Sequence, residues 1–150
     1  MSVSASPFTV GLVALVVACS SAPSTASTPT PEMQALLGCW LLTAPKVEGL
    51  YTQIGGVVEL TNVTSRRSAR IPPGLGIRFL RQERTKQFLT ADWVSTGEGR
   101  GTITWGTGYE GYILNVAVAG DSLRGEARGW TDGGFSSDPV EVAGHRTECR

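Results

Sequence analysis

Between residues 38 and 147 the chain is a succession of short segments in which apolar and polar residues alternate, separated by turns that contain glycine. Residues 122–130 show the pattern most clearly, since Arg124, Glu126 and Arg128 alternate with small or apolar residues. A period of two places the charged side chains on one face of a strand and the small ones on the other. Glycine accounts for 19 of 150 residues, which suits many turns rather than long helices. The pattern predicts an all-β domain.

Eight segments carry this strand signal. They are residues 38–43, 55–63, 76–82, 87–94, 101–105, 111–118, 122–130 and 140–147. Short strands joined by tight turns favour antiparallel pairing between neighbours in the chain. We therefore expect a small antiparallel β-barrel of about eight strands, with a β-sandwich as the alternative. Helical periodicity is weak, so only residues 32–37 are expected to begin a short helix, and residues 131–137 are expected to form a loop.

The N-terminal part of the chain differs in composition from the rest. Residues 8–19 form an apolar run that is too short to cross a bilayer as a helix and has the length of a signal-peptide core. Residues 20–31 contain mainly Ser, Thr, Ala and Pro, which bury too little apolar surface to offset their ordering entropy. We expect a signal peptide over 1–18, a disordered linker over 19–35 and the β domain over 36–150. The alternative is that the apolar run is a buried strand that begins the domain.

The end of the apolar run, Val16-Val17-Ala18-Cys19, resembles the bacterial lipobox. The resemblance implies cleavage just before Cys19 and attachment of a diacylglycerol lipid to its thiol. It further implies a protein of the bacterial cell envelope, held at the membrane by that lipid and facing the periplasm or the exterior. One feature departs from the pattern, because the segment before the apolar run has no Lys or Arg and the first basic residue is Lys46.

The chain has three cysteines, and a lipid on Cys19 would leave Cys39 and Cys149 near the two ends of the domain. Export would place both thiols in a compartment where disulfides form. We expect a disulfide between them, which would close a loop of about 110 residues and contribute up to about 4–5 kcal/mol. The alternative is a pair of free buried thiols. A single histidine, His145, and the lack of a CxxC sequence leave too few soft ligands for a zinc site, so no metal is expected.

The first predicted strand opens with Gly38-Cys39-Trp40, a G-x-W sequence similar to the opening motif of the lipocalins and related calycins. The resemblance implies that Trp40 closes one end of the barrel and that an arginine near the last strand packs across its ring. Arg146 or Arg150 would fill that role as a cation–π contact. Proteins of this kind hold a small apolar molecule in the barrel, so the resemblance also implies such a ligand.

Two sets of side chains have both a functional and a structural interpretation. The tryptophans either line a cup for an apolar ligand or fill the core: Trp40, Trp93, Trp105 and Trp130. A basic stretch either contacts anionic groups, such as lipid phosphates or an envelope polymer, or is a solvated face. It comprises Arg66, Arg67, Arg70, Arg78, Arg81, Arg84 and Lys86. Thirteen basic residues balance thirteen acidic ones, so the overall charge does not favour nucleic acid.

No combination of residues in the sequence indicates catalysis. His145 has Glu141 and Glu148 nearby, but no nucleophile or orienting partner lies at a readable spacing. Asp121, Asp132 and Asp138 resemble turn residues rather than a calcium site. We expect a lipid-anchored, non-catalytic envelope protein without a cofactor, which binds a small apolar ligand or lipid in its barrel. The alternative is an interaction module with a filled core that uses its basic outer face; the sequence does not identify a protein partner.

Overall fold

A computed structural model describes residues 28–45, 47, 50, 54–81, 88–135 and 138–150. The predicted signal peptide, Cys19 and most of the predicted linker lie outside the described residues, as do Arg84 and Lys86 of the basic stretch.

The described part of the chain contains one short helix and nine strands. The elements are α1 (Pro31–Gln34), β1 (Gly38–Thr43), β2 (Gly55–Thr64), β3 (Leu75–Arg81), β4 (Thr90–Gly97), β5 (Arg100–Gly106), β6 (Glu110–Ala119), β7 (Ser122–Thr131), β8 (Gly134–Phe135) and β9 (Val140–Arg146). Each of the eight predicted strands is present with bounds shifted by at most a few residues. The alternation of side chains was therefore a sufficient signal for the strands.

The strands form a closed antiparallel barrel of eight strands. From β1 to β7 each strand pairs with the next, and β7 then pairs with β9. Pairing of β1 with β9, from Trp40↔Arg146 to Thr43↔Ala143, closes the ring. The barrel prediction is confirmed, and the ring closure excludes the sandwich alternative.

One local prediction needs correction. Residues 131–137 were expected to form a loop, yet Gly134–Phe135 forms the two-residue strand β8 on the end of β7.

The short helix expected over residues 32–37 is present as α1. It begins at Pro31 because Thr30 caps its N-terminus and Pro31 suits its first turn. Met33 then packs against the core.

The pairing between β3 and β4 is short, with Leu75 and Trp93 as its one register pair. In place of a longer ladder, the β2–β3 loop over residues 65–74 lies against β4: the Ala91 N–H donates to the Arg67 carbonyl, and the Ser65 hydroxyl donates to the Ala91 carbonyl. The loop thereby occupies hydrogen-bonding groups of β4 that β3 leaves unpaired.

Candidate functional site

The inside of the barrel is occupied by large side chains. Trp40, Trp93, Trp105 and Tyr112 are all fully buried. The Trp105 ring centroid lies 5.6 Å from that of Phe79 and 5.9 Å from that of Tyr112. Three of the four tryptophans that the sequence singled out thus fill the core, as the structural interpretation expected.

Both ends of the barrel are covered by the chain itself. Leu36, directly after α1, is fully buried beside Trp40, whose indole N–H donates to the Leu36 carbonyl at 2.8 Å. The connection between β1 and β2 lies at the opposite end, and its described apolar residues Val47, Leu50 and Ile54 are buried in the same core. The position where a calycin-like cup would open is therefore occupied by the protein's own side chains.

Trp130 does not belong to this interior. It is half-buried, and its ring lies over Gly106 and Gly111, where an added Cβ would come within 2.4 and 2.6 Å of the ring. Strand parity explains the outcome, since Trp105 and Tyr112 point inward and their neighbours Gly106 and Gly111 therefore face outward. The assignment of Trp130 to a ligand cup or core is corrected to the outer face of the barrel.

The indole N–H groups of the buried Trp93 and Trp105 differ in their hydrogen bonding. The indole Nε1 of Trp105 is buried and donates to no group, whereas the indole of Trp93 donates to the Thr61 carbonyl at 2.9 Å. An unsatisfied buried donor costs about 1–3 kcal/mol.

Arg146 closes the barrel end at Trp40. Its guanidinium carbon lies 4.4 Å from the centroid of the Trp40 ring. The same guanidinium donates to the carbonyls of Leu37 and Ala35, each at 2.8 Å. This is the contact that the G-x-W resemblance implied for Arg146; Arg150 instead pairs with Glu148 on the surface.

The predicted disulfide between Cys39 and Cys149 is present, with a Cα–Cα distance of 5.4 Å. It links β1 to the segment that follows β9. Glu59 lies beside it, and the three side chains form the one cluster of potential metal ligands among the described residues. Because the two sulfur atoms are bonded to each other, this cluster offers a metal only one carboxylate.

The β2–β3 loop is fastened to the outer face of the barrel by Asp92. The Asp92 residue is only 2% exposed, and its carboxylate accepts hydrogen bonds from the Ser68 hydroxyl at 2.6 Å and from Arg70 Nε at 2.9 Å. Arg70 also donates to the Thr104 hydroxyl on β5 at 2.8 Å. The Ser68 hydroxyl in turn accepts from the backbone N–H groups of Arg70 and Gly74, so the loop has a fixed shape.

The basic residues predicted to contact anions therefore have different roles. Arg70 is committed to Asp92, and Arg78 pairs with Glu59 at 2.7 Å while two-thirds of its side chain stays exposed. Arg66 and Arg67 are exposed, and one nitrogen of Arg67 donates to the Phe88 carbonyl. Arg81 pairs through its backbone in β3, and its side chain lies outside the description.

A groove of about 520 Å³ lies between the end of β2 and this loop. Arg66, Arg67 and Arg78 line it together with Glu59 and with hydroxyl-bearing residues such as Thr61. Three guanidinium groups against one carboxylate give the groove a local positive charge, although the whole chain is neutral. The structure thus brings part of the predicted basic face into one concave site.

Sequence reasoning did not identify Asp92 as the residue that holds this site together. The sequence did contain an indication of this role. Asp92 lies between Ala91 and Trp93, so strand alternation turns its carboxylate outward, and an arginine-rich segment precedes it in the chain. Arg70 and Asp92 are 22 residues apart in the chain, and their contact depends on how the loop folds back, which the sequence pattern does not specify.

The remaining titratable candidates are on the surface. His145 is exposed on β9, and Asp121, Asp132 and Asp138 are exposed in turns or connections. Asp121 lies 3.4 Å from Arg146 Nε. Among the described residues these groups do not converge on a pocket with a nucleophile.

The fold and the groove define a small, self-filled antiparallel β-barrel with a basic outer site. No family model matches the chain, and neither the curated proteins nor the solved structures contain a match. Among the residues that the structure describes, no helix is long and apolar enough to span a membrane.

Proposed function

We propose that this protein is a lipid-anchored, non-catalytic component of the bacterial cell envelope whose barrel serves as a scaffold and whose basic outer face binds anionic groups. The lipobox-like sequence ending at Cys19 supports the anchor. The groove with Arg66, Arg67 and Arg78 supports the contact with anions, because guanidinium groups pair well with phosphate and carboxylate oxygens.

The observation that carries the proposal is the occupied interior. A binding cup needs space inside the barrel, and here the buried tryptophans and the apolar residues of the β1–β2 connection fill the described core. The outer groove near Arg66, by contrast, is open to solvent and carries exposed basic side chains.

A second candidate is a calycin-like protein that binds a small apolar molecule. The Trp40–Arg146 contact and the G-x-W opening support a relationship to that family. The unpartnered Nε1 of Trp105 specifically favours an occupant with one hydrogen-bond acceptor. Such an occupant would have to displace the β1–β2 connection or the aromatic side chains around Trp105.

Titration of the full chain with a neutral apolar dye, N-phenyl-1-naphthylamine, separates the two functions. The filled scaffold is expected to leave both dye fluorescence and tryptophan emission unchanged. A saturable rise in dye fluorescence with quenching of tryptophan emission would reject the filled scaffold in favour of the cup. The neutral dye avoids attraction to the basic face, which an anionic dye would report instead.

Calorimetric titration with a soluble polyanion, tripolyphosphate, tests the basic face directly. The affinity should fall as the salt concentration is raised. The double variant Arg66→Gln, Arg67→Gln should bind more weakly than the wild type at the same salt concentration. The matched control is Arg124→Gln, an exposed arginine on β7 away from the groove. Equal losses in both variants, or binding that ignores salt, would contradict a role for the groove.

A further inference from the structure

The tip of the β2–β3 loop is apolar and points away from the protein. Ile71 is 100% exposed, and Pro72 and Pro73 beside it are exposed as well. Most large apolar side chains of the described residues are buried or half-buried, so a fully exposed isoleucine leaves its apolar surface in water at a cost. The Ile71 side chain is thus free to enter an apolar environment.

The tip is held in place rather than left to move with a long loop. Ser68 and Arg70, on one side of it, are bound to Asp92, and the N–H of Gly74, on the other side, donates to the Ser68 hydroxyl at 2.9 Å. Two consecutive prolines further reduce the conformations open to the tip. Little ordering entropy therefore opposes insertion of Ile71 into a partner.

Positive charge accompanies the apolar tip. Arg66 and Arg67 precede it in the same loop and are exposed, and Glu59 is the acidic residue that lines the adjoining groove. An apolar side chain beside exposed basic groups matches the boundary of an anionic bilayer, where headgroup phosphates lie above the acyl chains.

The loop and the start of the ordered chain contact the same strand near its two ends. The loop contacts Ala91 and Asp92 at the beginning of β4. An added Cβ on Gly99, just past the end of β4, would lie 3.6 Å from Ala35, which follows α1. The eleven residues from 20 to 30 span at most about 36–40 Å when extended, so a lipid on Cys19 would keep the barrel within that distance of the headgroups.

We propose that the β2–β3 loop docks on the anionic surface of the membrane, with Ile71 entering the boundary between headgroups and acyl chains and with Arg66 and Arg67 contacting lipid phosphates. The docking rests on the proposed function for the anchor at Cys19. It gives the barrel a fixed orientation on the membrane, with β4 toward the bilayer. Strand β9 lies on the opposite side of the ring from β4, so its exposed residues Glu141 and Ala143 stay in water.

The experiment uses the full lipidated chain in nanodiscs of phosphatidylglycerol and phosphatidylcholine, with a nitroxide on a fraction of the headgroups. Amide signals of residues 69–71 should broaden more than those of Glu141 and Ala143 on β9. Ile71→Ser should abolish that difference, whereas the matched control Leu89→Ser should preserve it. Replacing the phosphatidylglycerol with phosphatidylcholine should weaken the effect, and loss of each of Arg66 and Arg67 should lower the affinity roughly fivefold.

The outcomes separate docking from anchoring. Mass spectrometry of the same sample reports whether Cys19 carries lipid, and a bare Cys19 would reject the anchor. The Cys19→Ala chain should show the same broadening pattern at higher nanodisc concentration if the loop docks by itself. Uniform broadening across the barrel, or none at residues 69–71 in either chain, would overturn the docking. Shifts at the tip with tripolyphosphate but no broadening with nanodiscs would overturn it in favour of a soluble anion.

Discussion

Arg70 and Asp92 form an ion pair on the outside of the barrel, with 2.9 Å between Arg70 Nε and Asp92 Oδ1. The Asp92 side chain is 3% exposed and that of Arg70 is 37% exposed, because the β2–β3 loop lies over the carboxylate. A strand position that faces outward is thereby buried by a loop rather than by the core. This pair fixes the loop that carries the groove and the apolar tip.

Replacing Asp92→Asn is expected to loosen the β2–β3 loop and lower the free energy of unfolding by about 1–2 kcal/mol. The amide keeps the shape but cannot accept from both Ser68 and Arg70 as a carboxylate does, and Arg70 retains partial solvation that limits the loss. Urea unfolding measures the stability, and hydrogen exchange of residues 65–74 measures the loosening. The control Asp138→Asn, at an exposed position, should change neither the stability nor the hydrogen exchange of the loop. Equal hydrogen-exchange protection of the loop in the two variants would contradict the role of Asp92.

Substitution of Arg70 and of Arg66 should affect stability differently, because Arg70 is in the ion pair with Asp92 whereas Arg66 is exposed. Arg70→Gln should resemble Asp92→Asn, because it breaks the same ion pair. Arg66→Gln removes an exposed charge and should change stability by less than about 0.5 kcal/mol. Thermal unfolding of both variants checks the contrast, and equal stability losses would show that the loop does not depend on Arg70.

Arg146→Ala is expected to lower the free energy of unfolding by about 2–3 kcal/mol. The substitution removes the cation–π contact with Trp40 and leaves the carbonyls of Ala35 and Leu37 without their donor. Tryptophan emission should shift to longer wavelength as water reaches Trp40. The matched control is Arg150→Ala, whose side chain is 77% exposed and whose partner Glu148 is also exposed, so its loss should be close to zero. Similar losses for both arginines would contradict a specific role for Arg146.

Cys39→Ser should destabilise the barrel by up to about 4–5 kcal/mol, because the unfolded chain regains the freedom of a 110-residue loop. The variant should also expose one reactive thiol at Cys149. Thiol titration of the unfolded, unreduced wild type should detect neither Cys39 nor Cys149. Detection of both would show that the protein folds without the disulfide.

Much of this fold could be predicted from local sequence patterns, because each strand signal is contained in fewer than a dozen residues. The alternation in residues 122–130 placed Arg124 and Arg128 outward, where the structure has them exposed. The same parity placed Trp130 outward, and grouping it with the buried tryptophans by size alone overlooked that parity. The short helix expected over residues 32–37 is present as α1, which begins one residue earlier at Pro31, after the Thr30 cap.

The candidate site was less predictable than the barrel. The sequence indicated a basic stretch but treated its members alike, whereas the structure commits Arg70 to Asp92 and Arg78 to Glu59. Glu59 and Arg78 are register partners on β2 and β3. Arg70 reaches Asp92 from the β2–β3 loop, beside a seam where β3 and β4 share the one pair Leu75↔Trp93. A period of two determines which face a side chain takes, but it does not determine where a strand stops pairing.

Gly125→Ala is expected to be among the most damaging single-methyl additions in the barrel. A Cβ at Gly125 would lie 2.0 Å from the Asn115 carbonyl oxygen and 2.8 Å from the Val116 Cα, and both atoms belong to the backbone of the paired strand β6. Because backbone atoms move only if the strands separate, the free energy of unfolding should fall by about 2–3 kcal/mol or more. Chemical denaturation measures the change.

The matched control for this substitution is Gly133→Ala, in the turn between β7 and β8. There the nearest atom to an added Cβ is the Thr131 hydroxyl at 3.8 Å, so the methyl fits without displacement. Its stability should stay within about 0.5 kcal/mol of the wild type. Because both substitutions reduce the entropy of the unfolded chain alike, the difference between them isolates the contact of β7 with β6. Equal stability of the two variants would mean that the two strands lie further apart at Gly125 than this barrel places them.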